Sequence, residues 1–449
     1  MQIRHRLIGL AAVAVLGLSG LAGCAATTAT TTSTTASAAA PGAPGAPGGG
    51  SGTASVTALG TYSVTTGTET SSSQSYTASA ANTSGVLVTG GTLTLTNATV
   101  TTSGASTSSD ESSFYGLDAG VLVKNATLTM TGGSVSTTGA GANGVFAYGT
   151  GVVTISDATI NATGQFAHGI MASGGGTITA TNVTANTTNT NGAVIATDRG
   201  GGTITVKGGT YTTSGTDSPG IYSTGTIAAT GATVTATGAE AAVIEGSNTI
   251  TLTDTTMAGA KKSGVMFYQS MSGDATGSES KYTQTGGSLS AAEGPLLYVT
   301  NATGEVTLSN VKTTATSGVL LKAAADKWGT SGSNGGNAIL NATSETLTGD
   351  VVVDSVSTAK ITLTGSSWTG ALDSANTAKS TSLTLTGSSS WTVTSDSYID
   401  SLTGAAISGS SVTNITGNGH TVYYNASTST ELGGKTYALA GGGTLKPMS

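Results

Sequence analysis

The chain has 449 residues, with 68 Gly, one Cys, 8% charged and 4% aromatic residues, and a formal charge of −7. This excludes collagen, which needs a Gly-X-Y period, a disulfide scaffold and highly charged disorder, and leaves an all-β chain rich in Thr, Val and Gly. Once Arg4 and Arg6 are assigned to a leader, 13 basic residues face 22 acidic ones and Arg199 is the last Arg, which argues against a nucleic-acid partner.

Residues 1–23 read as an export signal. Arg4, His5 and Arg6 open it, an apolar stretch runs from Leu7 to about Leu18, and it ends in Leu21-Ala22-Gly23-Cys24. The apolar stretch is too short to span a bilayer as a mature helix. This ending resembles the bacterial lipoprotein signal. The resemblance implies diacylglycerol on Cys24, cleavage before it, and acyl chains that hold the protein in the cell envelope. Ala25 follows the Cys where Asp would favour inner-membrane retention, so the outer membrane or cell surface is the implied location in a two-membrane organism. Residues 24–54 hold Pro41, Pro44 and Pro47 among Thr, Ala, Ser and Gly, with no apolar periodicity. They read as a tether.

From about residue 84 one pattern recurs. It opens with Gly and three mostly apolar residues, as in Gly85-Val86-Leu87-Val88, Gly120-Val121-Leu122-Val123 and Gly169-Ile170-Met171-Ala172. A strictly alternating segment follows, such as Thr92-Leu93-Thr94-Leu95-Thr96, which predicts a strand with one buried face. The next residue is Asn97, Gly132, Asp157, Asn182, Gly208, Gly231, Asp254, Gly286 or Asn310 in successive copies. Only residues that tolerate a left-handed backbone occur there, so a sharp turn is expected in every copy. A third short strand, such as Thr99-Val100-Thr101, completes the unit.

Three strands and three turns in about 23 residues make one coil of a solenoid, because a single coil cannot bury its own core. The pattern resembles the right-handed parallel β-helix family, so the expected body is a single-stranded right-handed parallel β-helix over residues 55–396. Residues 397–449 are expected to form a C-terminal β cap. The segment from Trp391 to Leu402 resembles the closing stem of autotransporter adhesin passengers, and Thr421–Tyr424 with Lys435–Leu439 suggests a final hairpin. No membrane barrel follows Ser449 in this sequence, so lipid on Cys24 is expected to supply the anchorage.

Three functions compete. Many β-helix proteins are polysaccharide lyases or hydrolases, and the insertions at 268–283 and 322–338 are where a cleft would be built. Asp274 and Asp326 are the carboxylates such a cleft would use. Arg199 in Thr197-Asp198-Arg199-Gly200 reads as a solvated ion pair, and His168 and His420 read as structural or exposed. No Walker loop, zinc spacing or nucleophile elbow occurs, so neither a cofactor nor a metal is expected. The outward rank Thr94, Thr129, Thr154, Thr179, Thr205, Thr251, Thr283 and Thr307, interrupted by Ala228, resembles the flat Thr arrays of ice-binding β-helices. The third and favoured expectation is a non-catalytic adhesin-like lipoprotein that presents its β-helix to a glycan, a host surface or another copy of itself.

The expected contact surface is an apolar stripe. Side chains alternate across a strand, so the middle residue of each first strand is expected to point outward. That column reads Leu87, Leu122, Phe146, Met171, Val194, Tyr222, Val243, Met266, Leu296 and Leu320. At ~4.8 Å per coil it would extend roughly 45 Å, longer than soluble monomers leave bare.

Overall fold

A computed structural model describes residues 56–448, apart from 271, 273 and 274. The signal segment, Cys24 and the tether up to residue 54 lie outside the described residues. The body is a parallel β-solenoid of about 16 turns spaced about 24 residues apart, consistent with the expected right-handed β-helix.

Three parallel sheets form its sides. The first has 12 strands and runs from Leu59–Val64 to Asp350–Val353. The second has 14, from Thr68–Ser72 to Ser401–Thr403, and the third has 10, from Ser75–Ala78 to Lys312–Ala315. Each strand pairs with its equivalent one coil away. Leu93 opposes Leu128, which opposes Val153, so inward columns of Leu, Val and Ile run the length of the core.

All nine left-handed turns occur, with φ between 48° and 67°. The column continues through Ser344, Gly365 and Gly387. The nine turns join the second sheet to the third, and Ser344, Gly365 and Gly387 join the second to a further, nine-stranded sheet, so their geometry sets the angle between two walls. At Gly286 a Cβ would also stand 2.2 Å from the Asp254 carboxylate. At Gly231 there is open space, with φ at 65°. Gly286→Val is therefore expected to cost at least ~2 kcal/mol, whereas Gly231→Asn should be neutral or slightly stabilising. Urea unfolding of the two variants checks this, and equal losses would refute the assigned geometry.

The N-terminal end is closed by polar residues at inward positions. Glu69 and Ser71 stand where the next coil has Leu93 and Leu95. Tyr62 and Tyr76 replace Val86 and Val100, and their rings stack at 4.8 Å. The Tyr62 hydroxyl donates to Glu69, and Ser71 and Tyr76 hydrogen-bond at 2.6 Å. The Glu69 bond, with burial, pushes the Tyr62 phenol up to about 12. The last rung of core thus ends in a hydrogen-bonded plate rather than a bare apolar edge.

The other end uses a nine-stranded sheet that begins at Thr346–Thr348. Trp368 and Trp391 oppose each other in adjacent coils, with centroids 5.2 Å apart and planes within 2°. The expected final hairpin is differently composed. Thr421–Tyr424 pairs in parallel with Thr444–Pro447, and it is Tyr437–Ala440 that runs antiparallel to Thr444–Pro447. Gly441, Gly442 and Gly443 supply the sharp reversal between those two strands, which the longer segment 425–436 does not.

Candidate functional site

The apolar stripe is not a free surface. Leu87, Leu122, Phe146, Met171 and Val243 are buried, and Tyr222 and Met266 are half-buried. Val194, Leu296 and Leu320 do not belong to the column. Met171 opposes Ala196, and Met266 opposes Tyr298. Val194 and Leu296 occupy the place that Gly169 and Gly264 hold in neighbouring coils, which shifts the expected register by two residues. Leu320 sits in an irregularity between Val319 and Leu321 and points into the main core.

The chain itself covers the first sheet. The insertion between Thr102 and Gly120 carries the α-helix Ser109–Tyr115, capped by the Ser108 hydroxyl and ended by left-handed Gly116. Gly116 lies against Leu122 and Phe146 so closely that a Cβ would come within 2.6 Å of each. Asn143 Nδ2 donates to the Ser112 carbonyl at 3.1 Å, and the Ser173 hydroxyl donates to that of Phe114. Arg199 is half-buried rather than fully solvated. Its guanidinium lies 3.7 Å over the Phe114 ring, where it clamps the helix by a cation–π contact. Leu87, Leu122, Phe146, Met171 and Ala196 thus form a second, smaller core.

Further along the same face sits the buried carboxylate of Glu245. It accepts from the Tyr222 hydroxyl at 2.5 Å, the Tyr268 hydroxyl at 2.8 Å, the Ser272 hydroxyl at 3.4 Å and the Ser270 hydroxyl. Burial first, then each phenol's neighbours (Tyr268 and Glu245 for Tyr222, Glu245 for Tyr268), holds both well above their ordinary range, so they remain donors. Trp328, from the last insertion, packs at 5.1 Å on Tyr268, the last residue of the strand Val265–Tyr268. Asn334 Nδ2 fixes that insertion by donating to the carbonyls of Asp326 and Trp328 at 2.6 and 2.8 Å. The outward residues Met266, Tyr298 and Lys322 of this part of the sheet are half-buried. Asp326 is exposed and accepts from Tyr298 at 3.0 Å, while Asp274 lies outside the described residues. No group of three His, Cys, Asp or Glu among the described residues is placed to hold a metal.

Several acids stitch coils together. Asp118 accepts from the Thr83 amide at 3.0 Å, Glu345 from Val311 at 2.8 Å, Asp350 from Ala371 at 2.8 Å and Asp400 from Thr381 at 2.8 Å. Each pair bridges neighbouring coils. Burial pushes the Asp118 carboxyl up to about 6 and holds His168 down to about 4. His168 Nδ1 donates to the Ala193 carbonyl at 3.2 Å, and burial makes the neutral ring the favoured folded form. Its folded pKa lies below the unfolded value of ~6.5, so the stability it contributes is present above pH ~6.5 and is lost as pH falls towards 4. His168→Gln removes that loss. The melting-temperature gap between variant and wild type is expected to move in the variant's favour from pH 7 to pH 4.5, and a gap that does not change with pH would refute it.

The second sheet is different. Its middle rank runs in unbroken register from Thr94 through Thr129, Thr154 and Thr179 to Thr205, and resumes at Thr251. Thr92 and Thr96 begin parallel ranks on either side. Across the strands from Thr92–Thr96 to Thr249–Thr253, Lys207 is the one charged outward residue. Thr154 and Thr251 are exposed. The result is a nearly uncharged lattice of hydroxyls, interrupted by Val152 and Ala228 and spaced ~4.8 Å along the solenoid and ~7 Å across it.

No known protein family matches this chain, and no curated protein sequence is significantly similar to it.

Proposed function

We propose that the protein is a lipid-anchored, non-catalytic surface-binding protein whose contact face is the hydroxyl lattice of the 14-stranded sheet. The observation that carries this reading is the contrast between two walls: the outward column of the first sheet is buried from Leu87 to Met171, whereas the Thr ladder from Thr94 to Thr251 is half-buried to exposed and almost free of charge. A repeating set of neutral donors and acceptors suits a neutral, hydroxyl-rich ligand of extended form, and a glycan chain is the ligand class that fits. Many weak hydrogen bonds in series give useful affinity where each alone contributes about 1 kcal/mol. The regular two-dimensional spacing favours ice as a second reading, which thermal hysteresis in the purified protein would reveal.

Incubation with neutral glycans and polyuronates tests the main reading. Retention without release of reducing or unsaturated ends is the expected result. Turnover would replace the binding reading with that of a β-helix polysaccharide lyase or hydrolase.

Anchorage rests on the lipoprotein-like segment ending in Cys24. Cys24→Ser is expected to abolish palmitate labelling and release the protein from the detergent phase. A variant that still partitions like the wild type would place the anchor elsewhere.

A further inference from the structure

Three charged side chains meet at one turn of three successive coils, the turn that leads from the third sheet into the first. Asp217, Glu240 and Lys262 each come from one coil, and backbone ladder bonds hold the turns in register: Gly220 N–H donates to the Glu240 carbonyl at 3.1 Å and Ala241 N–H to that of Ser263 at 3.3 Å. Asp217 is fixed by a left-handed backbone at φ 53°. The Lys262 ammonium touches the Asp217 carboxylate and stands 3.5 Å from a Glu240 oxygen. The Glu240 side chain is 7% exposed and that of Asp217 18%.

The other Lys–acid contacts are built differently. Lys261 meets Glu293, and Lys281 meets Glu305 at 3.3 Å, with acids that are 55% and 39% exposed; Lys262 is itself 43% exposed, so what differs is its acids, which are 7% and 18% exposed and come as two rather than one. Ordinary ion pairs of that kind contribute little. At Lys262 an amine, an acyl carbon and a buried second carboxyl converge, which are the parts of an amide-forming reaction.

We propose that Lys262 and Asp217 join covalently in an intramolecular isopeptide bond, with Glu240 as the proton shuttle. Proton transfer within the contact pair gives the Lys262 amine and the Asp217 carboxylic acid. Nζ attacks Cγ of Asp217, and the new C–N bond forms. Glu240 takes a proton from the nitrogen and passes it to the departing hydroxyl, whose C–O bond breaks. One water leaves, Glu240 is restored, and nothing is oxidised or reduced. Burial, the first cause, holds the Glu240 carboxyl above its ordinary range, the direction that suits a proton shuttle. Burial acts to lower the Lys262 ammonium, and Glu240 and Asp217 together outweigh it and hold the group above its ordinary range. The bond would close a 45-residue loop and clamp three coils, as a disulfide would in a chain with paired cysteines.

Tryptic mapping of the protein by mass spectrometry tests this. The expected product is a branched species that joins peptide 208–261 to the peptide beginning at Lys262. It is one water lighter than the two apart and has its branch point on Asp217. Recovery of the two peptides unlinked overturns the proposal, as does a branch on Glu240. Lys262→Arg and Asp217→Ala are expected to abolish the link. Glu240→Gln, checked for native circular dichroism, is expected to slow its formation about a hundredfold or more. Linkage at the wild-type rate in that variant would overturn the role assigned to Glu240.

Discussion

Met171→Glu is expected to destabilise the protein by at least ~3 kcal/mol, because it places a carboxylate in the small core beneath the covered first sheet. Met171 is fully buried there with Leu122 and Phe146, whereas Met266, in the same outward column, is half-buried and outside that cluster. Met266→Glu should therefore cost well under half as much. The cover is held by a few contacts, chief among them Arg199 on Phe114 and the bonds at Ser112 and Ser173. Proteolysis of the Met171 variant should then cut first within residues 103–118. Equal and small losses in the two variants would mean that the stripe is a surface after all.

The second large effect is expected at the other end of the solenoid. Trp391→Ala removes a fully buried ring that stacks on Trp368, and leaves the Gly370 carbonyl without the indole N–H that reaches it at 2.9 Å. Loss of an aromatic ring from a core costs ~3–5 kcal/mol. Trp391→Phe keeps much of the packing and should cost less than half of that. Coils in a solenoid contact only their neighbours, so the damage should spread from the end rather than uniformly. Hydrogen exchange should rise in Ser367–Thr369 and Ser390–Thr392 while Thr127–Thr131 stays protected. Uniform loss of protection would contradict the nearest-neighbour account.

The coils were legible because their constraints are local. Strict alternation marks a half-buried strand, and a position that accepts only Gly, Asn or Asp marks a left-handed turn. Asp157 and Asp254, which are acids, were explained by backbone geometry alone. The stripe misled for a reason that is equally local. Val194 and Leu296 fill a coil-start place that elsewhere holds Gly, and the Gly two residues earlier, Gly192 or Gly294, mimics that start in the sequence and displaces the column by two. The cover over it had no signal, since the insertions carry no period and the partners of Phe114 and Trp328 lie far along the chain. The N-terminal plate did leave a trace: aligned on the next coil, Glu69 and Ser71 replace Leu93 and Leu95. The meeting of Asp217, Glu240 and Lys262 was also visible in principle, as three charged residues spaced one coil apart in the same turn.

The binding face of the 14-stranded sheet is tested most directly by placing charge on it and on a control wall. Thr154→Lys with Thr251→Lys alters the open ladder, and Thr159→Lys with Thr256→Lys alters equally exposed positions of the third sheet. Co-sedimentation with cellulose and with chitin would then be measured for both pairs and for the wild type. The account predicts wild-type retention on a neutral glycan, a loss of about tenfold or more in affinity for the first pair, and no change for the second. Equal behaviour of the two pairs, or no retention of the wild type, would contradict it.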